Sequence, residues 1–139
     1  MKSTVYNCNL LSLPKINYRA GNITVVENNN QLPFDVKRVF YIYDVPGGAN
    51  RGGHAHKELD QLIVAVSGFF EVLLNDGTNK KNVQLSMPNK ALHIPPGVWA
   101  ELLNFSSGAV CLVLASDYYD KDEYIYCFEE FMELKKKFH

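Results

Sequence analysis

The sequence predicts an all-β sandwich or barrel with one C-terminal helix, and three observations carry that expectation. Turn-forming residues punctuate the chain at short intervals, the runs between them are rich in β-branched and aromatic residues, and a helical period appears only after Asp122. At 139 residues, with 47% apolar and 21% charged side chains, the chain has the size and composition of one globular domain over 1–139. Fourteen Lys and Arg against fifteen Asp and Glu leave a net charge of -1. No global basic field exists to recruit nucleic acid or anionic lipid.

In chain order, residues 1–13 are interrupted by Ser3, Thr4, Asn7 and Asn9, without the charged start and apolar run of a signal peptide. The longest apolar stretches, 62–66 and 110–115, fall far short of the roughly 20 residues that span a bilayer. A cytoplasmic chain without a membrane segment is expected. Strands are expected at Ile23 to Val26, Val36 to Tyr43, Gln61 to Val66, Phe69 to Leu74, Val83 to Leu85 and Val110 to Leu114. Asn75-Asp76-Gly77, between Phe69 to Leu74 and Lys80 to Leu85, carries the hairpin signal, because Asp-Gly accepts the positive φ of a tight turn. Ile125, Phe128, Phe131, Met132 and Leu134 then recur at three- and four-residue steps, which predicts an amphipathic helix over about 122–137. Its acidic start and basic end suit the helix dipole, and Lys135-Lys136-Lys137 reads as a solvated last turn. Cys8, Cys111 and Cys127 are odd in number and lack CxxC spacing, arguing against a disulfide framework or zinc ribbon; Cys111 reads as a buried small hydrophobe.

His54 and His56 are the residues with chemical promise. Two apart on a strand, they point to the same side and can enter one cavity of a β-barrel. Inward paired histidines serve metal or proton chemistry. The register Gly48, His54, His56, Gln61, Gly68, followed by Pro95, Gly97 and Asn104, resembles the two motifs of the cupins. That resemblance implies a cupin jelly roll, a double-stranded β-helix, here with a short C-terminal helix. Where cupins carry a glutamate and a further histidine as metal ligands, this chain has Gln61 and Ala100. Two imidazoles and a neutral amide hold a catalytic metal poorly, so the expected site has no metal.

Three segments carry a closer likeness: Phe34 to Ile42, Arg51-Gly52-Gly53-His54-Ala55-His56-Lys57, and Val113-Leu114-Ala115-Ser116-Asp117-Tyr118-Tyr119-Asp120. They resemble the cupin-type sugar 3,4-ketoisomerases acting on dTDP-4-keto-6-deoxyglucose, over Ile23 to Ile125. The resemblance implies a homodimeric isomerase whose partner is a dTDP-linked 4-keto-6-deoxy sugar. Its product would feed 3-amino-3,6-dideoxy sugars of surface glycans such as the lipopolysaccharide O-antigen. Moving a carbonyl from C4 to C3 needs an acid and a base and no cofactor, and imidazole supplies both near neutral pH.

The likeness puts the essential pair on His54 and His56, with His56 expected as principal base and His54 as its partner. Arg38 and Arg51 would bind diphosphate or a carbonyl oxygen through their forked donors. Gln61 would orient a sugar hydroxyl. Phe40 and Tyr41 face opposite ways, so one alone can line the cavity, and Tyr41 is the candidate. Ala20 and Ala100 stand where relatives carry large polar residues, leaving water or His93 to deliver a proton at C4. Trp99 is expected in the core. Two other readings stay open on the residues alone: a metal-dependent cupin using His54, His56 and His93, and a non-catalytic sugar-binding cupin.

Overall fold

The computed structural model describes residues 2–30 and 32–137. Twelve strands and one α-helix follow in order: β1 Asn9–Ser12, β2 Lys15–Ile16, β3 Ile23–Thr24, β4 Arg38–Ile42, β5 Arg51–His56, β6 Gln61–Ser67, β7 Phe70–Asn75, β8 Lys80–Leu85, β9 Lys90–Ile94, β10 Trp99–Leu103, β11 Val110–Ala115, β12 Tyr124–Ile125 and α1 Phe128–Lys137. Single 3-10 turns form at Val5–Asn7 and Lys121–Glu123. Two five-stranded antiparallel sheets result, in the orders β1-β9-β6-β11-β4 and β12-β5-β10-β7-β8, with β2 and β3 pairing separately. From β4 to β12 the chain alternates between the two sheets except at the β7–β8 hairpin, and this interleaving is the jelly roll that the histidine register implied.

Between the sheets lies an apolar core that includes Ile63, Phe70, Val72, Leu74, Leu92, Leu102, Phe105 and Val113. Cross-strand register fixes which residues face it. Phe40, Val113, Ile63 and Leu92 form one inward row of the first sheet, and Arg38, Ala115, Gln61 and Ile94 form the next. The outer face of that sheet is covered as well: Leu62, Val64 and Leu114 pack with Leu13 and Ala91 beneath Leu11, Val36 and Phe34. Gln61 to Ala65 is therefore buried at every position, which explains a strand without alternating polarity. Cys111 is buried, as expected, and so is Cys8.

The β7–β8 hairpin closes as expected, from Phe70↔Leu85 to Asn75↔Lys80. Gly77 takes φ 93 in its turn. Asp76 organises that turn: its carboxylate accepts from the N–H groups of Thr78 and Asn79, and at 2.9 Å from Val5. The strands β1, β2, β9 and β10 were not anticipated.

The helix is shorter than its apolar period suggests. Asp120 accepts a hydrogen bond from the N–H of Asp122 and starts a 3-10 turn. Tyr124 and Ile125 then pair with β5 as an edge strand, and α1 begins only at Phe128. Ile125 and Phe131 share one apolar cluster with Ala55 and Trp99 on the outer face of the second sheet. The three- and four-residue spacing thus arose from two elements facing one cluster. Lys135 is also not solvated: it is 2% exposed, and its Nζ donates to the carbonyls of Ser3 at 2.6 Å and Gly97 at 2.8 Å. Only Lys136 and Lys137 of the run are exposed. Among the described residues no helix is long and apolar enough to cross a membrane.

Candidate active site

Strand β5 sets the site. Its alternation sends Ala55 outward beneath α1, where it is fully buried, and sends His54 and His56 inward. His54 lies opposite Ala100, which itself faces Leu74 of the core. His56 lies opposite Tyr124. The two imidazoles meet edge to face, 5.0 Å between centroids at 85°. The N–H of Gly97 donates to the carbonyl of His56 at 2.8 Å, so the carbonyl that Lys135 holds belongs to the residue that holds β5. At the start of β5 the indole of Trp99 occupies the space that a Cβ on Gly53 would need. Any other residue there would displace the ring.

A cavity of about 840 Å³ opens beside these strands, lined among others by Phe40, Ile42, Asn50, Arg51, His54, Trp99, Leu102, Tyr124 and Tyr126. His54 lines it. His56, 5% exposed, lies deeper and is not part of the lining. The ring of Tyr124 sits 4.4 Å from His56 and 5.6 Å from His54, and it stacks on Tyr126 at 5.4 Å. Arg38 reaches across from β4 and donates from Nη2 to the Tyr124 hydroxyl at 2.9 Å. Its guanidinium also rests over the rings of Phe40 and Tyr119. Two buried polar atoms here have no hydrogen-bond partner, Arg38 Nε and His56 Nδ1.

Electrostatics make both histidines acceptors. Burial holds His54 below the ordinary imidazole range. Burial, then the neighbouring His54 and then the Arg38 charge push His56 down to about 3. Low-dielectric surroundings disfavour imidazolium, so both rings are neutral at pH 7, the form whose free ring nitrogen can accept a hydrogen bond or a proton. Among the described residues no three His, Cys, Asp or Glu side chains converge to hold a metal ion.

The anticipated residues divide into two groups. Arg51 and His54 line the cavity, Arg38 and His56 stand behind it against Tyr124, and Gln61 is buried in the inward row shared with Arg38 and Ala115. Tyr41 also lines the cavity, at its mouth, 60% exposed in a row with Leu112 and Val64, and Phe40 of the inward row lines it too, so both residues reach the cavity rather than one alone. His93 does not join them. His93 pairs with Leu62 of the outer cluster, 2.8 Å from Asp60 Oδ1 and against the ring of Phe34. A one-residue change of register would have turned His93 to the other face. Ala20 sits exposed in the turn between β2 and β3, outside the lining, while Ala100 is buried beside His54. Trp99 is both core and cavity wall. Tyr124 and Tyr126 were missed, because their alternation was absorbed into the expected helix.

Comparison with known proteins extends these observations. The family described as "FdtA: WxcM-like, C-terminal" matches residues 6–136. Over 122 residues the chain is 41% identical to the TDP-4-oxo-6-deoxy-alpha-D-glucose-3,4-oxoisomerase of Aneurinibacillus thermoaerophilus, covering 88% of each. The chain belongs to the sugar 3,4-ketoisomerase family. It is an isomerase of the cupin fold. Among solved structures it resembles the WlaRB TDP-quinovose 3,4-ketoisomerase from Campylobacter jejuni, with 43% identity, a TM-score of 0.86, and coverage of 91% of this chain and 98% of that one. It is also similar to QdtA, a sugar 3,4-ketoisomerase from Thermoanaerobacterium thermosaccharolyticum in complex with TDP. There the identity is 36%, the TM-score 0.92 and the coverage 96% and 98%.

Proposed function

We propose that this isomerase converts dTDP-4-keto-6-deoxyglucose to a dTDP-3-keto-6-deoxyhexose by histidine acid-base catalysis through an enediol, without a metal. The observation that carries this is the pair of neutral, inward imidazoles on β5, one of them lining a cavity also lined by Arg51 and by Tyr124, whose hydroxyl Arg38 holds from behind. His54, rather than the deeper His56, is the base that meets the sugar. It takes the proton from C3 and returns it at C4, while His56 packs edge-on behind it and fixes its ring. Arg51, exposed at the mouth, is suited to the diphosphate through its forked donors. Gln61 acts from behind the lining, through its neighbours. Support also comes from QdtA, a histidine-to-asparagine variant of which forms a complex with TDP-4-keto-6-deoxyglucose.

The same reading makes the enzyme a cytoplasmic homodimer supplying 3-amino-3,6-dideoxy sugars for surface glycans. Val39 and Tyr41 on edge strand β4 and Tyr43 just after it, each more than half exposed, suit the dimer face. The test is incubation with dTDP-4-keto-6-deoxyglucose in deuterated water, followed by NMR. Conversion to a 3-keto sugar is expected, with deuterium entering C4 to the extent that the proton held by His54 exchanges with solvent before its return. Substrate that persists without exchange would overturn the assignment.

A further inference from the structure

An enediol path moves protons on oxygen as well as on carbon. When the C3 proton leaves, O4 must gain one; when C4 is protonated, O3 must lose one. His54 is committed to the carbon side in the reaction proposed above, on which this inference rests. The oxygen side needs a second group that can both give and take a proton within the cavity.

Few lining residues qualify. Arg51 cannot give up its proton, and the amide of Asn50, the indole of Trp99 and the apolar side chains do not exchange one at neutral pH. Three phenols line it, Tyr41, Tyr124 and Tyr126. Tyr124 and Tyr126 lie against the ring of His54, whereas Tyr41 packs on Tyr43 at the exposed mouth. Only the Tyr124 oxygen accepts a hydrogen bond from a guanidinium, Arg38 Nη2 at 2.9 Å. That bond occupies a lone pair and leaves the phenol's own proton to be donated elsewhere. Its ring is fixed on both sides of the histidine pair, 4.4 Å from His56 and 5.6 Å from His54, and backbone pairing with His56 sets its height on the wall. No hydroxyl reaches the cavity from position 40, which is phenylalanine, and no donor from Ala100 beside His54.

We infer that Tyr124, held by Arg38, is a catalytic residue that carries the oxygen-side proton of the isomerisation. The steps balance without an oxidant. The C3–H pair forms the C3=C4 bond, the C4=O4 π pair moves to O4, and O4 takes the Tyr124 proton. The Arg38 charge offsets the negative charge then present on the phenol oxygen. That oxygen next takes the O3 proton, the O3–H pair forms C3=O3, and the C3=C4 pair takes the proton held by the histidine at C4. Tyr124 is restored and the histidine is again neutral.

Tyr124→Phe tests this, since it keeps the ring against His56 and removes only the hydroxyl. The expected result is a loss in kcat of about 10²- to 10³-fold, with KM for the dTDP sugar, dTDP affinity and melting temperature all unchanged. A kcat within tenfold of the parent, or a fall in dTDP affinity that matches the fall in kcat, would overturn the proposal. Should the Phe variant not fold, Arg38→Gln leaves Tyr124 in place and is expected to lower kcat at least tenfold at unchanged KM, an unchanged kcat again being contrary. Wild-type enzyme run alongside separates the two proposals. If it does not isomerise the sugar, the assigned reaction fails; if it does and the variant matches it, only the role of Tyr124 fails.

Discussion

Two buried polar clusters in this molecule are built on opposite terms. Around Asp76 and Lys135, protein groups meet the charges from every side. The carboxylate accepts from three backbone N–H groups and the ammonium donates to two backbone carbonyls. Around Arg38 and His56, two buried nitrogens are left without a partner. The titrations differ in the same sense. Burial acts to raise Asp76, yet the N–H groups of Asn79, Val5 and Thr78 hold its carboxyl below the ordinary range. Burial lowers both histidines, and nothing offsets it. A group used to hold the chain in place has its hydrogen bonds satisfied by folding. A group kept for chemistry retains capacity that a ligand can use.

The contrast breaks most sharply through activity. His54→Asn is expected to lower kcat by about 10²- to 10⁴-fold while leaving the thermal midpoint within a few degrees, as steady-state kinetics and calorimetry would show. A variant that melts far lower would make His54 a structural residue like Asp76. The reverse change, Asp76→Ala, should cost about 2–4 kcal/mol of unfolding free energy, because it strands buried backbone donors. At a temperature where the variant stays folded, kcat should stay within about twofold. Urea denaturation beside an activity assay measures both, and a lost kcat with unaltered stability would erase the distinction.

The smallest effect is in pH dependence. Both histidines have folded pKa values below the unfolded value of about 6.5, so below that pH the unfolded chain binds protons that the folded one refuses. Stability therefore falls as pH drops from about 6.5 toward the value of about 3 for His56, at up to about 1.4 kcal/mol per pH unit for each such proton. Asp76 adds its own loss only further down, as pH passes below the ordinary carboxylate range. His56→Asn should flatten the curve between pH 6 and about 4, and an unaltered slope would show that His56 is not buried in its neutral form.

How much of this could be read from the chain depended on whether one element or two produced a pattern. His54 and His56 were legible because a single strand with a period of two places them together. The hairpin was legible because Asp-Gly dictates its own turn. Tyr124 was not, since Ile125 and Phe131 reach one apolar cluster from a strand and a helix and so imitate a single helix. The buried state of Lys135 depends on carbonyls 38 and 132 residues away in sequence, which no local rule contains. The place of His93, on the outer cluster and away from the cavity, turned on register, and register is set only when sheets assemble.

Trp99 gives the molecule an optical property. It is the chain's one tryptophan, its indole walls the cavity, and it packs on the backbone of the strand that carries the histidine pair. Its emission is therefore reported from a single place, without interference from any other indole. A sugar nucleotide entering beside it alters the polarity around the ring, so titration of the unlabelled protein should display occupancy directly as a change in intensity or colour. The enzyme contains its own probe, set in the wall of the cavity that His54 also lines.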